Sequence, residues 1–363
     1  MQFNRRAESL SEEILSKTFV DAEPLFIQLS SRNHQIIYGR RGTGKTHALK
    51  YLMRFVAEKG GAPIYIDLRL VGSNGAIYSD SQRPIAERAT RLLVDVLEAI
   101  ESELIRIAVA AIDKAPDPNQ ITLRVDDLSQ ATRMVEVKGP VEQERTSESS
   151  ASLGSEKRAA IKADPTAAAL SGEFNRKTTS ATKEASRTKS AGELRTSIDF
   201  GNLQAALSGL LEVLGSPQVW LLIDEWSEIP SDLQPVLADL LRRTVLPQRN
   251  IIVKIAAIEH RSRFAERYGP GDYIGVEIGA DLTADINLVD FVVYDVDQKK
   301  ATEFFKNLIF KHYIVSDNAD PDIKTADDLI GIAFTQVNVF QEFVRAIEGV
   351  PRDALNLAAL VMH

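Results

Sequence analysis

The sequence of 363 residues contains no cysteine. That excludes a disulfide framework and any thiolate metal site, and five histidines as the only remaining soft ligands give no indication of zinc chemistry. Long apolar runs are missing as well. No uninterrupted stretch approaches the roughly 20 residues that span a bilayer, and Met1 to Glu13 is polar and charged, without the apolar centre of a secretory leader. The expectation is a cytoplasmic protein with no membrane segment. Excess positive charge is also lacking: a formal net charge of −8 and a pI near 5.4 argue against a body that coats nucleic acid by bulk electrostatics, while leaving a local basic face open. What remains is an ordinary globular composition, 44% hydrophobic and 26% charged, on a chain long enough for about two domains.

The most informative stretch is Gly39-Arg40-Arg41-Gly42-Thr43-Gly44-Lys45-Thr46, which fits G-x-x-x-x-G-K-[ST] at every fixed position. It follows the apolar run Ile36-Ile37-Tyr38, where a strand should feed it, and precedes Leu49, Leu52, Met53 and Val56 at helical spacing. Glycines let such a loop take positive φ values and turn its N–H groups inward as a nest for phosphate oxygens. Lys45 supplies a point charge for the β- and γ-phosphates, and the Thr46 hydroxyl is placed to ligate Mg²⁺ at the start of the helix. The phosphate-binding set is therefore Gly39, Arg40, Arg41, Gly42, Thr43, Gly44, Lys45, Thr46 and the adjoining His47.

A second signature lies far downstream. Val219-Trp-Leu-Leu-Ile-Asp224-Glu225 is an apolar run closed by two acids, the arrangement called a Walker B segment. A buried strand delivers both carboxylates to its exposed end. Asp224 is then the metal-side ligand, and Glu225 the base that polarises an attacking water. Asn250–Ile258 reads as a further buried strand ending in Glu259-His260-Arg261-Ser262-Arg263. No N-K-x-D sequence is present to read guanine, so the nucleotide expected is ATP.

Elsewhere the pattern predicts two short helices over 7–30, interrupted near Asp21–Pro24, a strand at Pro63–Leu70, and a long amphipathic helix from Pro84 to about Ile112. Further helices are expected over Phe200–Leu214 and around Leu233–Leu241, where Arg242-Arg243 complement the helix dipole. Val289–Val293 reads as the fifth strand, and helices follow at Ala301–His312, Ala326–Ile332, Val339–Glu348 and from Arg352 onward. Residues 115–197 form an insertion, with β-like runs at Ile121–Val125 and Met134–Val137. The Ser, Thr, Ala, Lys and Glu tract near 140–193 is too poor in apolar side chains to offset its ordering entropy. The fold class is α/β, a P-loop NTPase three-layer sandwich with a mainly parallel five-stranded sheet, followed by a small α-helical lid.

Three blocks, Gly39–Thr46, Leu221–Glu225 with Trp226, and Gly349-Val-Pro-Arg352-Asp353, together resemble an AAA+ ATPase, most closely the initiator group related to the origin recognition complex. The resemblance implies an α/β domain over 1–293 and a lid over 294–363, with a neighbouring subunit completing the site. It implies that Arg352 is the lid arginine that reaches the γ-phosphate, its alternative being a helix-start cation beside Asp353. The family's sensor 1 position carries Asn, Ser or Thr; here Glu259 and His260 stand there, and His260 joins the catalytic candidates. Arg261, Arg263 and Arg267 are the arginine-finger candidates. The initiators continue into a winged-helix domain that grips DNA, whereas this sequence stops at Leu360-Val-Met-His363, so that domain is expected to be absent or cut off. The activity implied is Mg²⁺-dependent ATP hydrolysis in an oligomer that switches its hold on DNA or a protein partner. A nucleotide-gated scaffold or sensor with little turnover is the alternative, and a small-molecule kinase finds no acceptor motif.

Overall fold

Four apolar runs form four adjacent strands of a five-stranded parallel sheet in the computed structural model, which describes residues 11–71, 78, 80–113, 117–134, 137–138, 195–196, 199–269, 273–316 and 319–361. Strands β1 (Gln35–Tyr38), β2 (Ala62–Asp67), β3 (Val219–Asp224) and β4 (Ile251–Ala257) pair in parallel, and every residue of β3 and β4 is buried. Strands covered by helices on both faces need such continuous apolarity. A short antiparallel hairpin of β5 (Ala265–Arg267) and β6 (Tyr273–Gly275) follows, then β7 (Thr283–Asn287), which closes the sheet in the order β2-β3-β4-β1-β7. Two-residue strands at Val137–Lys138 and Arg195–Thr196 pair separately.

The fifth strand is therefore Thr283–Asn287 and not Val289–Val293, which forms turns. β7 lies at the sheet's edge and pairs only with β1, so it needs little apolar surface; Ile286 is its one fully buried residue. Val289 and Val292 are buried by packing rather than by strand pairing. A second reading also changes: Ile121–Val125 belongs to a helix, α5 below. Asp117 caps it, Pro118 occupies its first turn, and Ile121, Leu128, Ala131 and Thr132 are buried along one face. The expected insertion thus begins with packed helix, while the tract near 140–193 lies outside the described residues.

The helices are α1 (Glu12–Thr18), α2 (Leu25–Leu29), α3 (Lys45–Glu58), α4 (Ile85–Ile112), α5 (Pro118–Arg133), α6 (Phe200–Val213) and α7 (Gln234–Thr244). After β7 come α8 (Gln298–Ile314), α9 (Ala326–Ala333), α10 (Val337–Ala346) and α11 (Pro351–Val361). Ile37, Trp220, Leu222, Ile252 and Ala256 share one buried cluster with Leu49 and Leu52 of α3, and with Phe305, Phe340, Val344 and Leu355 of the C-terminal helices. The same cluster takes in Phe19, Leu25 and Leu29, so the N-terminal helices seal the joint between α3 and α8.

Two buried bases stand out in this core. Lys254 in β4 is fully buried; its ammonium donates to the Ser31 carbonyl (2.9 Å) and the Gln35 side-chain oxygen, above the Trp220 ring, and burial pushes its pKa down to about 7. His312 on α8 lies buried close to His47 of α3; burial, and then the His47 charge, push its pKa from 6.5 down to about 4. Between those values the unfolded chain binds a proton that the folded chain refuses, so stability is lost as pH falls from 6.5 toward about 4. The loss over that window is about 3 kcal/mol, at about 1.4 kcal/mol per unit. The expected result is a denaturation midpoint that drops steeply between pH 6.5 and 4.5, with a shallower slope in His312→Leu. His47, also held low by burial, supplies part of the remaining slope. Equal slopes in wild type and variant refute the assignment.

Candidate functional site

A parallel sheet gathers the carboxyl ends of its strands on one edge, and ligands bind where neighbouring connections leave in opposite directions. β1 leads through α3 to β2 at one edge, whereas the chain after β4 crosses to β7 at the other. The crevice therefore opens between β4 and β1, where the loop 39–44 emerges. Gly42 (φ 87°) and Gly44 (φ 92°) both take left-handed backbone there. Gly44 caps α3 with no side-chain hydrogen bond, so the first N–H groups of this 14-residue helix face the loop without an intrahelical acceptor. With the positive end of the helix dipole, they make a ready anion site. The buried Thr43 pins the loop from below, its hydroxyl donating to the Arg40 carbonyl at 2.8 Å.

Lys45 is buried, and its ammonium donates to the carbonyl oxygens of Gly39 (2.9 Å) and Arg40 (3.0 Å). Burial lowers its pKa, the charges of Glu225 and Asp224 work against that, and those of Arg352 and Arg41 reinforce it. The lysine thus lies within the field of both acids. Asp224 is fully buried at the end of β3; its Oδ1 accepts the Glu225 N–H (2.8 Å) and its Oδ2 accepts the Tyr65 hydroxyl (2.8 Å). Glu225 then turns the chain with φ 57°, a conformation that costs about 1–3 kcal/mol for a residue other than glycine. Burial, and then the Asp224 charge, raise the Glu225 pKa, while Arg69 and Lys45 oppose the rise. Arg69 grips Asp67 (Nη2 to Oδ2 2.6 Å, Nε to Oδ1 3.0 Å) and comes within 3.6 Å of Glu225.

The start of α11 rests directly on the loop. The Arg352 N–H donates to the Gly42 carbonyl at 3.1 Å, and a Cβ on Gly42 would lie only 2.9 Å from the Arg352 Cβ. Arg40 pairs with Glu348 at 3.3 Å, and Arg41 with Glu228, beyond β3, at 2.8 Å. Thr46 is half-buried in the first turn of α3. The structure thus brings together the loop, Lys45, Asp224, Glu225 and Arg352.

His47 points elsewhere: its Nε2 lies 2.7 Å from the Leu15 carbonyl oxygen and its ring edges onto Phe19. Glu259 and His260 are exposed on a short 3₁₀ turn after β4. Arg261 is exposed on that turn, Arg267 on β5 and Arg263 on the link between them. The fully buried Gln234 clips this segment, donating to the Arg261 carbonyl (3.2 Å) and accepting the Arg263 N–H (2.6 Å). Tyr65, Arg69, Glu228 and Glu348 were not singled out in the sequence. Only the strand register, Tyr65 opposite Leu222 and Asp67 opposite Asp224, brings β2 to the acids.

Residues 3–59, which carry β1, the loop and all of α3, match the model of the ORC-CDC6-like family. The loop-bearing segment is similar to that family. This agrees with the initiator-group AAA+ resemblance carried by the motifs, and the parallel sheet with its following helices is that of a P-loop fold. No curated protein matches the chain. Among the described residues no helix is long and apolar enough to cross a membrane. Beside the loop the oxygen donors are of the hard kind that Mg²⁺ takes, a hydroxyl and a carboxylate. Among the described residues no group of three His, Cys, Asp or Glu could cage a metal. A Mg²⁺ ion here would lean on the phosphates it accompanies, the usual mode for nucleotide sites.

Proposed function

We propose that the chain is a Mg²⁺-dependent ATPase whose nucleotide state switches an oligomer that engages DNA or a protein partner. The reading rests on one observation above all: the buried ammonium of Lys45 shares a field with Asp224 and Glu225, which come from a strand separated from β1 by β4. ATP seats its phosphates on the N–H groups of Gly42 to His47 and on Lys45, with Thr46 and Asp224 on the metal side. Magnesium neutralises phosphate charge when bound. Glu225, half-buried and raised in pKa, orients the water and takes its proton. Arg352 enters from the lid formed by the C-terminal helices and adds positive charge to the transferring group. Arg261, Arg263 and Arg267 are exposed, Arg263 pairing with Glu266 at 3.5 Å, and are the candidates to face a second subunit's nucleotide.

Exposed Glu259 and His260, where sensor 1 is expected, favour a second reading: a nucleotide-gated scaffold that binds tightly and turns over little. Light scattering with and without Mg²⁺-ATP and a DNA duplex tests the switch. The expected result is a larger assembly with Mg²⁺-ATP than with ADP or no nucleotide. A mass unchanged by nucleotide rejects nucleotide-driven assembly. Retained nucleotide with negligible phosphate release supports the scaffold.

A further inference from the structure

Strand β2 contributes to the site through one side chain that the reaction chemistry itself does not call for. Tyr65 stands opposite Leu222 in the β2–β3 register, on the face that also carries Asp224, and its hydroxyl donates to Asp224 Oδ2 at 2.8 Å. The ring is braced from above by the Lys50 ammonium of α3, 5.8 Å from its centre, and by the surrounding core. Asp224 Oδ1 is meanwhile held by the Glu225 N–H at 2.8 Å. A carboxylate has about four lone-pair sites, and one on each oxygen is thereby used. Two hydrogen bonds from opposite ends fix both the plane and the rotation of the group.

We propose that Tyr65 is the positioning residue for Asp224, its hydroxyl locking the carboxylate so that its unused lone pairs face the divalent metal that accompanies the nucleotide. The inference rests on the reading of Asp224 as the metal-side ligand. Tyr65 touches neither metal nor nucleotide in this scheme; it acts through the acid. Hydrogen-bond partners of metal-ligating groups have that effect generally, and removing one weakens metal affinity about 10–100-fold.

The test compares wild type, Tyr65→Phe and Asp224→Asn in two direct binding measurements that need no turnover: Mn²⁺ binding in the presence of ADP, followed by electron paramagnetic resonance, and ADP binding in EDTA. The phenylalanine keeps the ring and its contacts and deletes only the hydroxyl. The expected result is Mn²⁺ affinity about tenfold or more weaker in Tyr65→Phe, with ADP affinity in EDTA within about twofold of wild type. Thermal unfolding of each variant, with measurements made below its transition, keeps folding separate from binding. Mn²⁺ affinity unchanged in Tyr65→Phe but weakened in Asp224→Asn overturns the positioning role alone. Affinity unchanged in both overturns the metal-side reading of Asp224 as well. Metal and metal-free affinities falling together in Tyr65→Phe also overturn the proposal, because the hydroxyl then supports the fold and not the carboxylate.

Discussion

Lys45→Ala is expected to lower ATP and ADP affinity by about a hundredfold or more, since two or three charge-assisted hydrogen bonds of about 1.5–3 kcal/mol each lose their donor. Lys45 is the loop's buried cation, and in the structure its ammonium is already drawn onto the carbonyls of Gly39 and Arg40. Phosphate oxygens arriving above α3 replace weak neutral acceptors with charged ones, and much of the binding strength comes from that exchange. Alanine leaves the two carbonyls without the ammonium and the phosphates without a counter-charge. Calorimetric titration of the variant against wild type, with the fold checked by thermal unfolding, decides the matter. An affinity within threefold of wild type removes the nucleotide reading of the loop.

The second large effect belongs to Glu225→Gln. The amide keeps the size of the side chain but cannot accept a proton, so turnover should fall about 10²–10⁴-fold, the range that a positioned base contributes. Binding should change little, and by less than in the Lys45 variant, because the proposed role sets Glu225 against the attacking water and not the phosphates. Losing one negative charge beside Asp224 should even tighten the hold on an anionic ligand slightly. Single-turnover phosphate release and equilibrium nucleotide binding separate the two quantities. Undiminished release in the glutamine variant would falsify the base assignment and return the role to another group.

Much of this site could be read from the chain because its parts are local. A loop that must place glycine at positive φ, at Gly42 and Gly44, has few sequences open to it, and a strand that must bury five residues before presenting Asp224 has few more. The long helix from Ile85 and the helices after β7 were legible from their periodicity. β7 was not, because an edge strand can hold its place with Ile286 alone while the more apolar Val289–Val293 turns away. Helix α5 was missed for a related reason: Ile121-Thr-Leu-Arg-Val125 alternates like a strand over five residues, and only the cap at Asp117 and the wider spacing to Leu128 reveal the helix. The β5–β6 hairpin leaves no pattern to read, its strands being three residues each. Tyr65 and Arg69 needed the β2–β3 register, which depends on a crossover of some 150 residues and leaves no local mark. His47 shows the converse: adjacency to the motif suggested a ligand, but a helix turns about 100° per residue and carries this ring toward Leu15.

The contact between Gly42 and Arg352 makes the tip of the loop the seat of a hinge pin. The Gly42 carbonyl is tied to the first turn of α11, and a Cβ on Gly42 would lie 2.9 Å from the Arg352 Cβ and 3.1 Å from the Val350 Cγ1, so a larger residue there displaces those side chains. A bound phosphate that turned that peptide would move an acceptor of the first turn of α11, a helix otherwise held by the packing of Ala354, Leu355 and Ala358. On the proposed reading, occupancy of the loop and the seating of α11 are coupled through that amide, in parallel with the Arg40–Glu348 pair.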